Sequence, residues 1–545
     1  MKIMNLRYLF AVPVALLAFT ACEDLDTKPE GDILTSEQKQ EISDALPKRA
    51  EAGVRAVFTQ FNVYAPNYSL FGTVRHNDFG FCTVLAMTDA NTEDVVAANS
   101  GYNWYGGGLR YTDRSYTSYE SDIVWNNHYS IIFSANNVIA SIDPQTTDSQ
   151  AQFYLAQGLA GRAFAYWSLA QLYQFNYKGH ENSPCVPLIT NENSSDAALN
   201  GAPRATVQAV YDQIKADLDK AIELLTATKQ KRSDRRYIDL SVAYGLRARM
   251  NMSMQNWSAA AQDASSAISS SDARPATIAE VSAPTFSNST EPDWMWGVLI
   301  AETDDVVSSG IVNWISHCGT FNYGYCQYSG GRQMSKKLYE SIDDTDIRKG
   351  WFTNEKGVCA NVSAEWQAYL SSTYPPTDKQ KAAGVVATPY LGCKFAPYQN
   401  VLDNDVNAND IPLMRIEEMY LIKAEAEAMA GGNGKATLVE FVKTYRDPSY
   451  EFNGSDVQAE VYRQKRIEFW GEGIIWYDVM RLNKGVDRRG AGYTAAVIFN
   501  IPSGDPILLW RLPQSEIQGN SALTDDDNNK ATEAPTPVDD ADVSL

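Results

Sequence analysis

The chain has few histidines and lacks the short motifs that mark common catalytic sites. Only four histidines occur in 545 residues, and none forms the HExxH pair of a zinc protease. No Gly-x-Ser-x-Gly segment and no phosphate-binding P-loop is present either. These absences exclude the best-known hydrolase sites, and we expect a protein that is not an enzyme.

Basic residues are outnumbered. The chain has 46 Lys and Arg against 67 Asp and Glu, a formal charge of −21. Nucleic acids and anionic lipids are bound by clustered Lys and Arg, and no such cluster is visible. The composition therefore predicts no nucleic-acid partner.

Metal-binding patterns are absent as well. The seven cysteines are scattered, with no CxxC and no Cys/His cluster that would indicate zinc. Cys318 and Cys326 are near enough to close a small loop, but the spacing leaves disulfide pairing open. The stretch 403–410, DNDVNAND, alternates oxygen ligands like a calcium loop, yet it lacks the required Gly and Glu. We expect neither a metal nor a cofactor.

The N-terminus is typical of a bacterial lipoprotein. Residues 1–21 combine basic Lys2 and Arg7 with an apolar run too short for an ordinary membrane span. Cys22 follows small residues, the pattern of a lipid acceptor, and 22–46 is a polar, acidic tether. We expect cleavage before Cys22 and acylation of its thiol, which would hold the mature chain, with a formal charge of about −23 after loss of Lys2 and Arg7, on a membrane.

Most of the remaining chain has helical periodicity. The candidate helices are 48–64, 119–142, 150–175, 207–226 and 241–268, the last with a tight turn near Gln255. Small residues in this last segment allow two antiparallel helices to approach closely, as in a tetratricopeptide pair. The fold class is mostly α, with a helical scaffold at 47–271 and 411–482.

Two late segments carry regular charges between apolar residues. Residues 411–428, IPLMRIEEMYLIKAEAEA, predict one helix capped by Asn409 or Asp410. Residues 463–482, RQKRIEFWGEGIIWYDVMRL, predict a helix with a bend at its two glycines and with Lys465 and Arg466 near Glu468 and Glu472. We interpret these charges as structural ion pairs.

Two loop-rich regions, 71–118 and 272–410, hold aromatic residues beside glycines. GYNWYGGGLRY spans 101–111, and NWISHCGTFNYGYCQYSGG spans 313–331. Aromatic side chains on such loops have little local core to enter. Their flat faces suit sugar rings, while Asn, Asp and Arg bond sugar hydroxyls.

The late segments resemble the SusD/RagB family of Bacteroidetes outer-membrane lipoproteins. The matches in its C-terminal helix are Arg466, Glu468, Glu472, Gly473, Trp476, Asp478 and Arg481. The matches in the earlier helix are Pro412, Arg415, Glu418, Leu421, Ala424, Glu425 and Ala426, and Glu417 replaces the usual Ala. The resemblance implies one SusD-like domain over 47–520, with a loop-rich ligand-binding insertion at 272–410 and a mobile acidic tail at 521–545.

The resemblance also implies a function. Family members capture a nutrient at the cell surface and pass it to a SusC-like TonB-dependent transporter in the outer membrane. Family ligand contacts come from the two loop-rich regions, so the expected ligand-binding residues are Tyr102, Asn103, Trp104, Arg110, Trp314 and Tyr323. Cys22 is the expected lipidation site.

The ligand class stays open at this point. A glycan is favoured by the aromatic loops, and an oligopeptide is the alternative because RagB-like relatives capture peptides. Two other readings are a surface glycosidase using Glu468 and Glu472 and a structural adhesin subunit without a soluble ligand.

Overall fold

The computed structural model describes residues 47–98 and 101–541. The expected signal peptide, the tether and Cys22 lie outside these residues. Within the described part of the chain, no helix combines the length and the apolar character needed to cross a bilayer.

The long helices form the body of the molecule, and short ones lie in the connecting loops. In chain order the α-helices are α1 Pro47–Thr59, α2 Tyr68–Phe71, α3 Cys82–Asn91, α4 Gly106–Arg110, α5 Tyr119–Ala140, α6 Ser149–Tyr173, α7 Ser194–Asn200, α8 Val207–Ala227, α9 Leu240–Ser253, α10 Trp257–Ser270, α11 Asp305–Ser308, α12 Trp314–Cys318, α13 Tyr325–Tyr328, α14 Lys336–Glu340, α15 Ala364–Thr373, α16 Asp378–Ala382, α17 Ile416–Met429, α18 Gly434–Tyr445, α19 Val457–Glu468, α20 Ile475–Arg481 and α21 Gln514–Gly519. The mostly α fold class is confirmed.

The long helices pack on one another in chain order. α1 contacts α5, α5 contacts α6, α6 contacts α8, and α8, α9 and α10 follow, with α17 closing the stack against α10. Gly158 and Gly161 on α6 permit close packing, because a Cβ at Gly161 would lie 2.9 Å from Val57. This stack is the scaffold that positions the loops.

Side-chain caps set several helix starts where the sequence predicts them. Ser118, Asp148, Thr206 and Asp239 each accept a hydrogen bond from a backbone N–H in the first turn of their helix. The expected break inside 241–268 is also present, since Gln255 has a positive φ of 60° between α9 and α10.

The described strands are short and form four two-stranded antiparallel sheets. The pairs are β1 Val95–Ala97 with β5 Arg332–Met334, β2 Pro184–Pro187 with β3 Arg204–Thr206, β4 Trp294–Val298 with β6 Ile411–Arg415, and β7 Val486–Asp487 with β8 Asn500–Ile501.

The β4–β6 pair corrects the prediction of one helix over 411–428. Residues 411–415 form β6, which pairs with the buried β4, and α17 begins only at Ile416. Neither Asn409 nor Asp410 therefore caps this helix. Pairing with a buried strand outweighed the helical periodicity, and Pro412 is compatible with the edge of a two-stranded sheet.

The C-terminal motif bends where its glycines predicted a bend. α19 ends at Glu468 and α20 starts at Ile475, with Gly471 and Gly473 between them at φ of 79° and 77°. A Cβ at Gly473 would lie 2.4 Å from the Leu85 backbone of α3, so this position also permits close packing.

The expected partners of Lys465 and Arg466 are wrong. Lys465 pairs with Asp478 at 2.6 Å, and Arg466 pairs with Asp94 and Glu93 on the segment beside β1. Tertiary packing places Asp478, Asp94 and Glu93 beside these two cations, so that pairs with them replace the expected pairs with Glu468 and Glu472.

A buried group of charges joins the insertion to the late helices. We call it the central charge cluster; its members are Asp293, Asp346, Arg348, Lys394, Arg415, Glu417, Arg446, Glu468 and Glu472. Arg415 contacts Asp293, Glu468 and Glu472 within 3.0 Å. These residues are at most 6% exposed, so the pairs are structural.

The insertion has a small core of its own, built on Phe321, Cys359, Leu370, Tyr374, Ala387, Leu391 and Cys393. Tyr374 ties this core to the loop before Tyr323, because its hydroxyl donates to the Thr320 carbonyl at 2.7 Å. All six cysteines in the described residues are free thiols and buried. The domain boundaries given above stay a prediction.

The acidic C-terminal segment contacts the body over much of its described length. The Asn529 amide donates to the carbonyls of Tyr173 and Trp510, and Arg204 donates to the Asp527 carbonyl at 2.7 Å. The Val538 N–H donates to the Ile498 carbonyl. The contacts are made by the Asn529 side chain and by backbone groups, and Leu523 at the start of the segment is buried in the main core. The expected mobility of the tail stays a prediction.

Candidate functional site

Three exposed tyrosines from the two aromatic loops meet on one surface. Tyr102 lies 5.6 Å from Tyr328, and Tyr328 lies 5.6 Å from Tyr323, ring centre to ring centre. Their exposed fractions are 55%, 53% and 37% for Tyr102, Tyr328 and Tyr323. We call this group the tyrosine platform. It is an open surface of ring faces and edges rather than an enclosed pocket.

Trp104 extends the aromatic surface beside the platform. Its half-buried indole stacks on His76 at 4.9 Å and 18°, and it meets Tyr325 edge-on at 6.1 Å. The Arg75 guanidinium lies 5.0 Å from the Trp104 ring and 4.4 Å from the Tyr119 ring. Flat groups thus continue from Tyr325 through Trp104 and Arg75 to Tyr119, which is 44% exposed.

A buried histidine supports this surface from below. His317 stacks on Tyr325 at 4.8 Å and 13°, and its Nε2 lies 2.8 Å from the His76 carbonyl oxygen. Burial lowers the pKa of His317 to about 3, so its imidazole is neutral at physiological pH. Burial also lowers the pKa of His76. The two imidazoles that stack on Trp104 and Tyr325 are therefore uncharged.

A polar edge borders the platform where 403–404 runs beside 321–323. The Asp403 N–H donates to the Phe321 carbonyl at 2.9 Å, and the Tyr323 N–H donates to the Asn404 carbonyl at 3.1 Å. The Gln327 amide donates to the Asp403 carboxylate at 3.1 Å. An exposed carboxylate and an amide thus lie next to Tyr323 and Tyr328.

The structure brings together some of the expected site residues. Tyr102 and Tyr323 are linked through Tyr328, and Trp104 lies in the adjoining stack. Arg110 ends α4 and is half-buried. The Asn103 side chain braces its own loop, because it donates to the Ala98 carbonyl and accepts from the Tyr105 N–H.

Trp314 is the exception, and its assignment to the binding surface is wrong in this structure. Its side chain is 1% exposed and packs edge-on against Phe395 at 5.1 Å. All five residues of α12 are buried, so this short helix has no outward face. Trp314 therefore belongs to the core.

Several residues of this surface were missed. Tyr325 and Tyr328 stand in the quoted loop, but the spacing did not show which of its aromatic residues face outward. Asp403 gave no usable signal, because its contact with Gln327 joins residues 76 positions apart.

The carboxylates considered for a glycosidase lie elsewhere. Glu468 and Glu472 are 0% and 4% exposed and belong to the central charge cluster. Three guanidinium groups, those of Arg446, Arg415 and Arg348, hold the pKa of Glu468 well below its usual range despite its burial. Neither group is accessible to a glycosidic bond, so the pair is structural.

The fold and the surface define a class of protein with a mostly helical scaffold, whose connecting loops present an exposed aromatic face. The chain belongs to the SusD/RagB family. Residues 81–252 match the family described as starch-binding associating with outer membrane, and residues 312–530 match the SusD family. The resemblance noted from the late segments is thereby confirmed.

Individual relatives are distant. The chain is similar to the SusD-like protein P38 of Formosa agariphila, with 23% identity over 518 residues, 90% of this chain and 93% of P38. A SusD-like carbohydrate binding protein from Bacteroides vulgatus ATCC 8482 superposes with a TM-score of 0.72 at 22% identity, covering 89% of this chain and 98% of that one.

A further structural neighbour has been solved with a sugar. Surface glycan-binding protein A from Bacteroides thetaiotaomicron, in complex with laminarihexaose, gives a TM-score of 0.59 at 16% identity, covering 88% of this chain and 99% of that one. At these identities the likeness concerns the fold.

Proposed function

We propose that this chain is a non-catalytic lipoprotein that captures an oligosaccharide at the outer-membrane surface and delivers it to a SusC-like TonB-dependent transporter. The observation that carries the proposal is the tyrosine platform, which lies beside an exposed carboxylate and amide. Stacking on ring faces and hydrogen bonding at their edge are the two interactions a sugar requires.

The family supports the cellular setting. Its description as starch-binding associating with outer membrane agrees with the lipoprotein pattern at Cys22, and a neighbour of the same fold holds laminarihexaose. The partner transporter and the delivery step rest on the family resemblance alone.

The test is calorimetric titration of the soluble protein, cut after Cys22, with a panel of oligosaccharides and with a protein digest. Tyr102→Ala and Tyr328→Ala should each weaken glycan binding by about tenfold, or about 1.4 kcal/mol, because each removes a stacking face. Phe133→Ala is the matched control, since Phe133 is 68% exposed on α5 and outside the platform.

Each of the other outcomes would contradict part of the proposed function. Binding of the digest alone would replace the glycan with a peptide, the alternative ligand class. Sustained release of product from an oligosaccharide would show an enzyme. Glycan affinity unchanged in both tyrosine variants would remove the platform as the site.

A further inference from the structure

The backbone of Asp403 is held in an unusual conformation next to the platform. Its φ is 58°, in the left-handed region that non-glycine residues seldom occupy. Residues 399, 400 and 407 also have positive φ. Strained positions of this kind persist only where surrounding contacts impose them.

The surrounding contacts are those that bind the Asp403 segment to the platform loop. Asn322 and Asn404 form a parallel bridge, and the buried Asn407 side chain donates to the Tyr323 carbonyl at 2.9 Å. The position of Asp403 is therefore set by the same contacts that hold Tyr323.

The carboxylate itself lies at the edge of the platform, beside Gln327, the residue that precedes Tyr328. It accepts from the Gln327 amide at 3.1 Å and is exposed, so it retains oxygen lone pairs that face solvent. The Tyr323 hydroxyl, by its hydrogen bond, and the Asp403 charge both raise the pKa of Tyr328. The contacts with Gln327 and Phe321 place Asp403 beside both Tyr328 and Tyr323.

A carboxylate in this place favours some sugars over others. A carboxylate can accept hydrogen bonds from two neighbouring sugar hydroxyls, and such charge-assisted bonds are stronger than neutral ones. A uronate or sulfated sugar on the same ring face would bring a second negative charge beside it, in a chain whose formal charge is already −21.

We infer that Asp403 is a specificity-determining residue of the platform and that the sugars bound there are uncharged rather than acidic. The inference rests on the proposed glycan-binding function and deepens it, because it names the charge class of the ligand.

The first experiment compares matched ligands on the soluble protein. Oligomers of galactose, glucose and mannose, including laminarihexaose, are titrated beside oligomers of galacturonate and glucuronate of the same length. Binding should be confined to the neutral set, or at least tenfold tighter for a neutral oligomer than for its acidic counterpart.

The second experiment removes the negative charge of the Asp403 side chain. Asp403→Asn keeps the shape, and Asn tolerates a positive φ, so folding should be retained. The variant should bind the neutral oligomer about tenfold more weakly and should discriminate less against the acidic one. Asp405→Asn is the matched control, because it removes an equal charge from an exposed residue of the same segment.

The outcomes separate the two claims. An acidic oligomer that binds as tightly as its neutral counterpart, and loses affinity in Tyr328→Ala, would overturn the charge inference and leave the glycan site. Equal effects of Asp403→Asn and Asp405→Asn, or none from either, would also overturn it. No glycan binding in either set would overturn the proposed function, and the inference with it.

Discussion

At the scale of the residue, the aromatic side chains of the two loops differ in burial although the loops have similar composition. Tyr102, Tyr323 and Tyr328 face solvent, whereas Trp314 and Tyr105 in the same loops are 1% exposed. Residue type does not separate the two groups, because Tyr105 is a tyrosine like the three exposed residues and is nevertheless buried. The difference was decided by which ring found a partner such as Phe395.

Trp314→Ala should therefore lower stability rather than ligand affinity. Removing a fully buried Trp costs about 3–5 kcal/mol, because the cavity it leaves collapses only in part. Chemical denaturation measures the loss, and titration of the folded fraction checks the affinity. Tyr328→Ala is the opposite case, with stability retained and affinity reduced. A Trp314→Ala protein of full stability and weakened binding would return Trp314 to the site.

At the scale of the element, the late segments meet in the central charge cluster. β6 supplies Arg415, α17 supplies Glu417, and the C-terminal motif supplies Glu468 and Glu472. Breaking one pair in such a network costs about 3–5 kcal/mol, because the remaining charge is buried without a partner. The regular charges of these helices thus fix how the elements dock.

Glu417 gives the cluster a dependence on pH. Burial, together with nearby Asp293, raises the pKa of Glu417 to about 8 against the opposing effects of Arg415 and Arg446. An exposed Glu titrates near 4.3, so the folded state holds more protons between about pH 4.3 and 8. The contribution of Glu417 to stability is therefore present at low pH and is lost as pH rises through that window.

Glu417→Gln should flatten this decline. The amide cannot ionise, so the fall in unfolding temperature between pH 5 and 8 should be smaller than in the wild type. Part of the decline should remain, because burial also raises the pKa of Asp293 to about 6. Glu440→Gln, on the exposed face of α18, is the control. Parallel curves for wild type and Glu417→Gln would contradict the assignment.

At the scale of the whole molecule, the helical stack holds the insertion and both aromatic loops in one arrangement. β1 from the first loop region pairs with β5 from the insertion, so the strands on which the loops rest are joined. The platform therefore depends on two chain regions more than 200 residues apart.

The expected attachment of the chain to the membrane through Cys22 can be tested apart from ligand binding. Cys22→Ala should move the protein from the membrane fraction to the soluble one, because the acyl chains contribute about 0.8 kcal/mol for each buried methylene group. Fractionation followed by immunoblotting measures this, with wild type as the control. A Cys22→Ala protein that stays in the membrane fraction would exclude the lipid anchor at that residue.

The sequence by itself determined the local features. Helices α1, α5, α6, α8, α9 and α10, the turn at Gln255 and the bend at Gly471 and Gly473 lie where periodicity and turn residues predicted them. These features depend on residues only a few positions apart. The family resemblance named Tyr102, Trp104 and Tyr323 among the expected ligand contacts, and the structure places them in or beside one aromatic surface. Their role in binding stays a prediction.

Tertiary structure decided what depends on distant partners. The pairing of β6 with β4 moved the start of a predicted helix to Ile416. Lys465 and Arg466 form ion pairs with carboxylates of other elements, and Trp314 packs against Phe395 in the core. The place of Asp403 beside Tyr323 belongs to the same class. Such contacts join residues many positions apart and form only when the core is assembled. They therefore produce no periodic pattern in the sequence from which they could be predicted.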